Sequence, residues 1–165
     1  MNKLKVNLFI FADTNKGKYT EGLSDAAKFY QSWSGYGDEL AWGAMWLYKA
    51  TKDEKYLEKA ERYYTLYGLN SRPQGFDWDS KNAGVQLLLA KETADMRYWN
   101  DFKGFMKSMI NHPNKTPKGL LHLFKWGSNR HAANIVGLAV LASNSESLHA
   151  KENQNKWLQF AKQQM

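Results

Sequence analysis

The sequence predicts an all-α chain of about seven helices, folded as antiparallel hairpins. Apolar residues recur at spacings of three and four along most of its length. No stretch alternates apolar and polar side chains with β-branched residues, as a half-buried strand would. Two pairs of helical stretches are joined by tight turns, Thr51-Lys52-Asp53 and Thr93-Ala94-Asp95, and turns that short make the helices antiparallel neighbours.

The elements follow in order. Leu4–Ala12 is an apolar stretch with helical character. Leu40, Ala44, Leu47 and Tyr48 form one stripe, with Asp38 and Glu39 in its first turn, where carboxylates suit the helix dipole. Leu57, Ala60, Tyr64 and Tyr67 form the next, entered at Asp53 and closed by Gly68. Ser80 reads as an N-cap for a helix carrying Val85, Leu88 and Leu89. Trp99, Phe102, Met106 and Met109 mark a helix that stops before Pro113. Ser128 or Asn129 is placed to cap Ala132, Ala133, Val136, Ala139 and Val140, and Trp157, Phe160 and Ala161 mark a last stripe.

Three connections are long and rich in aromatic, glycine and charged residues: Thr14–Gly37, Asn70–Asp79 and Asn111–Gly127. Each leads into every second helix. In a stack of antiparallel helices those starts share one end, so the three loops should meet on one face.

At 165 residues the chain is the size of one domain. It has no cysteine, which excludes a disulfide scaffold, a thiolate metal site and a cysteine nucleophile. The net charge is +7, and +6 of it falls in residues 101–165. Those basic residues are scattered, which argues against a nucleic-acid partner. No apolar run approaches the roughly 18 residues of a membrane span. The start, Met1-Asn2-Lys3-Leu4-Lys5, faintly imitates a signal peptide, but its apolar part is short and no small-residue cleavage site follows. His112, His122, His131 and His149 lack the spacing of a zinc site.

Three constellations carry candidate chemistry. Phe29, Tyr30, Trp33 and Tyr36 precede Asp38 and Glu39, with Ser34 and Gly35 between them. The aromatics offer flat faces to a ligand. The two carboxylates, with oxygens of the glycine turn, suit a hard cation such as calcium. The alternative is a capped helix with aromatics in the core. Asp77-Trp78-Asp79-Ser80 reads as N-capping or as further oxygen donors. Trp126-Gly127-Ser128-Asn129-Arg130-His131 places an indole and a guanidinium together, which suits sugars: C–H faces stack on the ring while hydroxyls take hydrogen bonds. Its bland counterpart is a core Trp and a surface Arg.

These segments resemble glycoside hydrolase family 9, the inverting endo-β-1,4-glucanases or cellulases, of the animal and insect type. The blocks that carry the resemblance are Phe11-Ala12-Asp13, Ser34-Gly35-Tyr36-Gly37-Asp38-Glu39-Leu40-Ala41-Trp42-Gly43-Ala44, Trp78-Asp79-Ser80-Lys81-Asn82-Ala83-Gly84-Val85-Gln86, Thr116-Pro117-Lys118-Gly119-Leu120-Leu121 and Trp126-Gly127-Ser128-Asn129-Arg130-His131-Ala132-Ala133-Asn134. The resemblance implies part of an (α/α)6 barrel with a cleft across one end. It implies that Phe29, Tyr30, Trp33, Trp126 and Arg130 bind β-1,4-glucan or cello-oligosaccharide, and that Ser34, Gly35, Asp38, Glu39 and Asp79 are ligands of a structural calcium ion. Members of that family are typically secreted, whereas this sequence offers no convincing signal peptide.

The departures are as informative. The family's base sits in an Asp-Ala-Gly-Asp motif, its general acid in an Asn-Glu pair, and a His-His-Arg block lies between; this sequence has none of them. Where some members carry an aromatic four residues before the Trp-Asp pair, this chain has Gln74. Residues 1–165 therefore read as the central segment of one cellulase catalytic domain, a hydrolase by kinship and expected to be inactive alone. The alternative is a non-catalytic glucan-binding module. A segment cut from a closed barrel should also leave apolar flanks open, the Trp157–Phe160 stripe among them.

Overall fold

The computed structural model describes residues 3–165, with side chains from Leu4 onward. Its helices are α1 (Lys3–Thr14), α2 (Tyr19–Gly22), α3 (Gly37–Thr51), α4 (Glu54–Leu66), α5 (Asn82–Thr93), α6 (Met96–Ile110), α7 (Ser128–Ser143), α8 (Leu148–Lys151) and α9 (Gln154–Gln163), with a 3-10 turn at Ala26–Lys28. The seven long ones are those that the apolar spacing predicts. The single-turn α2 and α8 lie inside connections, too short for a periodic signal. Among the described residues, β structure amounts to one isolated bridge between Lys115 and Leu121. No described helix is long and apolar enough to cross a membrane.

The helices form two layers. α1, α3, α5 and α7 lie side by side in an inner row, and α4, α6 and α9 back α3, α5 and α7 from outside. Sequence dictates the layering. The outer helices bury one face only, whereas α5 buries nine consecutive residues, Asn82 to Ala90. A helix buried all round belongs in the centre. This alternation is that of an (α/α)6 barrel, of which the chain forms a part.

The tight turns share one construction. Lys52 and Ala94 both take the left-handed conformation at φ 56°. Thr51 Oγ1 then accepts from the Asp53 amide at 3.1 Å, and Asp53 Oδ1 caps the next helix through Lys55 N at 3.2 Å. Thr93 and Asp95 repeat this, at 3.1 Å and, to Arg97 N, 2.7 Å. Gly68, at φ +63°, closes α4 while Leu69 N donates to Tyr64 O, the hydrogen bond of a Schellman ending.

Three expectations are corrected. Ser80 is not the cap of α5, because the helix starts at Asn82 and its cap position is Lys81, which makes no side-chain cap. Neither Ser128 nor Asn129 caps α7, whose cap position is Gly127 at φ 63°. The Trp157–Phe160 stripe is not open: Trp157 is stacked on Trp99 at 6.3 Å with an 11° interplanar angle, and both Trp157 and Phe160 are buried. An exposed apolar face among the described residues lies on α1, where Leu8, Ile10 and Phe11 are 58%, 51% and 65% exposed.

Candidate functional site

The loops that precede α3, α5 and α7 meet at one end of the inner row. Polar side chains of the inner helices fasten the middle loop. Buried Gln86 donates to the carbonyls of Leu69 (2.9 Å) and Ser71 (3.1 Å), and Asn134 of α7 donates to that of Phe76 (2.9 Å). Gly84 lets α5 approach: a Cβ there would lie 2.5 Å from Trp42 and 2.7 Å from Phe76. Asp77 folds the loop tip, its Oδ1 accepting from the amides of Asp79 and Ser80, both at 3.0 Å.

Asp79 joins the first loop to the second. Its carboxylate accepts from Trp33 N at 3.0 Å and Ser34 N at 3.1 Å, and its carbonyl accepts from Ser34 Oγ. This is no cap of its own helix; it is a clamp across 45 residues of sequence that aims the Trp33 indole. Asp38, in the first turn of α3, is likewise spent on a neighbour, accepting from Lys81 N at 2.6 Å where α5 begins.

The result is a cleft of about 510 Å³ with walls from all three loops. Trp33 comes from the first, Gln74 to Ser80 from the second, and Phe124, Lys125, Trp126, Arg130 and His131 from the third. Trp33 and Trp126 are 79% and 81% exposed, an extreme for the largest apolar side chain, so two indole faces stand open to solvent. Arg130 is held against the Gly127 turn, where a Cβ would come within 3.1 Å of its guanidinium. His131 lies beneath, buried, 4.7 Å from the Phe124 ring. Its Nδ1 is 3.2 Å from Asp77 Oδ2, close enough for an ion pair but without hydrogen-bond alignment. Burial lowers its pKa below the usual imidazole value, against the pull of Asp77.

Of the predicted binding residues, Trp33, Trp126 and Arg130 line this cleft. Phe29 and Tyr30 do not. Phe29 stands free on the surface, and Tyr30 rests edge-on against Trp78 at 5.3 Å, so it supports a residue of the wall. Trp78, Phe124 and Lys125 are wall residues that the sequence reading leaves without a role. Their signal was position, since all three lie in the long connections.

Three of the five residues expected to bind calcium border one pocket, and the other two adjoin them in sequence. Gly35, Glu39 and Asp79 line one pocket of about 350 Å³, flanked by Asp38 and Ser34. Asp38 Oδ1 and Glu39 Oε2 are buried without a hydrogen-bond partner. Burial first, then the adjacent Asp38, pushes the Glu39 carboxyl up to about 8. Burial also raises Asp79, against the amide hydrogen bonds it accepts. Two orphaned carboxylate oxygens beside each other suit a cation. Among the described residues, however, no three His, Asp or Glu side chains stand grouped as a ready metal cluster. Ser34, Gly35 and Asp79 oxygens are meanwhile engaged in loop hydrogen bonds.

Comparison with known proteins gives a consistent picture. The model of glycosyl hydrolase family 9 matches residues 6–165. An endoglucanase of Dictyostelium discoideum is 38% identical over 153 residues, covering 90% of this chain and 22% of that protein. Endoglucanase A of Bacillus pumilus is also 38% identical, over 93% of this chain and 25% of that protein. Among solved structures, an endoglucanase of the termite Nasutitermes takasagoensis superposes with a TM-score of 0.86 at 42% identity, covering 95% of this chain and 35% of that one. The endoglucanase CelQ of Clostridium thermocellum, complexed with cellotriose, superposes at 0.82 with 32% identity, over 94% and 27%. The chain thus spans about a quarter of its curated relatives' length.

Proposed function

Since the chain belongs to glycosyl hydrolase family 9, we propose that it forms the glucan-binding wall of an endo-β-1,4-glucanase, as a central segment of that catalytic domain. One observation carries the reading: two exposed indoles, Trp33 and Trp126, and the Arg130 guanidinium border a single cleft. Pyranose rings present C–H faces that stack on indoles, and their hydroxyls accept from a guanidinium. That solved relatives were complexed with cellotriose and cellotetraose supports cello-oligosaccharide as the ligand.

The parent enzyme's reaction is inverting hydrolysis, with an acid and a base on opposite sides of the bond and a water between. The carboxylates at this cleft are unsuited to either role. Asp77 and Asp79 are both committed to backbone amides that shape the loops. The chain's contribution is to bind and orient sugar, and alone it hydrolyses none.

Calcium belongs to the same proposal. Asp38 Oδ1 and Glu39 Oε2 would face the ion, with oxygens of Ser34, Gly35 and Asp79 as further donors, each keeping a lone pair beside its present hydrogen bond. Its effect would be structural: neutralising the carboxylates and locking the loop that presents Trp33.

Titration calorimetry with cellotetraose tests the binding. Saturable binding that weakens at least tenfold in Trp126→Ala is expected. Absence of binding by a folded chain, or reducing-end release from carboxymethyl-cellulose above that of Trp126→Ala, would sink it.

A further inference from the structure

We propose that the cleft prefers a glucan bearing carboxylate groups, and that Lys125 sets this preference; the proposal rests on the glucan-binding reading above. The cleft is lined by four charged groups besides His131: Asp77, Asp79, Lys125 and Arg130. The two carboxylates are turned into the framework. Asp77 serves the amides of Asp79 and Ser80 and faces His131, and Asp79 serves Trp33 and Ser34. The two cations are not so engaged. Neither Lys125 nor Arg130 has an ion-pair partner among the described residues, and both are exposed. The polar contact of the Arg130 guanidinium is the His131 ring at 3.4 Å. Lys125 has no hydrogen-bond partner among the described residues.

The charged side chains left without a framework partner are therefore the two cations, and Lys125 flanks an open indole, since it directly precedes Trp126. Gln74 adds to this on the same lining. Where an aromatic ring would stack on a neutral sugar, a primary amide offers two N–H donors. A neutral glucan gives an ammonium group only hydroxyl dipoles in exchange for water. A carboxylate on the sugar gives it a full opposite charge and a charge-assisted hydrogen bond. Lys125 is exposed, so the gain is modest and salt-dependent.

The test is titration calorimetry of the full chain with cellotetraose and with cellotetraose oxidised to carboxylate at its C6 positions. At about 0.01 M salt, where screening is weak, the carboxylated ligand is expected to bind roughly three- to tenfold tighter, the gap narrowing by about 0.15 M. Lys125→Gln should abolish the gap, and Lys125→Glu should reverse it. Lys107→Gln, an exposed lysine on outer helix α6, should leave the gap intact. Equal affinities in the wild-type chain overturn the proposal, as does a gap that survives Lys125→Gln or one that Lys107→Gln closes too, since that marks net charge and not this cleft. Cellotetraose binding without a carboxylate preference overturns this proposal alone. Loss of both ligands overturns the glucan-binding reading with it.

Discussion

Asp38 Oδ2 accepts the Lys81 amide at 2.6 Å, so a carboxylate from the first turn of α3 caps the start of α5, 43 residues on. The α5 cap position provides no side-chain oxygen of its own. The bond therefore ties two inner helices and the loops before them. Asp38→Ala should lower stability by about 2 kcal/mol, the usual cost of losing a charge-assisted buried bond. Asp38→Asn keeps an acceptor and removes the charge beside Glu39, so its loss should be smaller. Chemical denaturation of the two variants without calcium checks the order.

Calcium should raise the melting temperature, because it binds the folded arrangement of Asp38 and Glu39 and not the unfolded chain. At about a hundredfold excess over its Kd the gain is about 2.7 kcal/mol. Glu39→Gln should lose most of that shift, since an amide oxygen is a weaker donor to a hard cation than a carboxylate. A calcium-dependent shift of equal size in the variant would remove the site.

Buried His131 gives a pH dependence of definite sign. Burial holds its folded pKa below the usual imidazole value of about 6.5. The unfolded state therefore binds the proton more readily, and stability is lost as pH falls through 6.5 toward the folded pKa. A thermal-melt series from pH 8 to 5 should show this slope, and His131→Asn should flatten it. An unchanged slope in the variant would assign the effect to other groups.

Gly127 is constrained twice, by φ +63° and by Arg130 packed where its Cβ would be. Gly127→Ala should cost about 1 kcal/mol in backbone strain. It should also displace the guanidinium, weakening cellotetraose binding several-fold by calorimetry. Retained affinity would mean that Arg130 contributes little to the cleft.

Gly84 is constrained by packing alone. Gly84→Ala drives a methyl into Trp42 and Phe76, which should destabilise by roughly 1–3 kcal/mol despite alanine's better helix propensity. Urea denaturation reads the sign directly; a stabilised variant would show that the two rings move aside freely.

The long helices, the tight Thr-Xaa-Asp turns and the convergence of three loops were legible in the sequence because each rests on short-range rules: apolar spacing, local capping, and the alternation of antiparallel neighbours. The Asp53 and Asp95 caps needed only residues two positions away. Polar side chains with distant partners were not legible. In sequence Asp38 looks like a first-turn acid and Asp79 like a capping acid, yet one caps another helix and the other clamps another loop, because a carboxylate takes whichever unpaired amide the fold brings within reach. Ser80 failed as a cap for that reason: Asp38 had already supplied the acceptor to α5. The aromatics divide the same way. Trp157 and Trp33 are both indoles near helix ends, but one is stacked on Trp99 and the other is held open by Asp79. Periodicity assigns a residue to a face; only the tertiary structure decides whether that face has a neighbour.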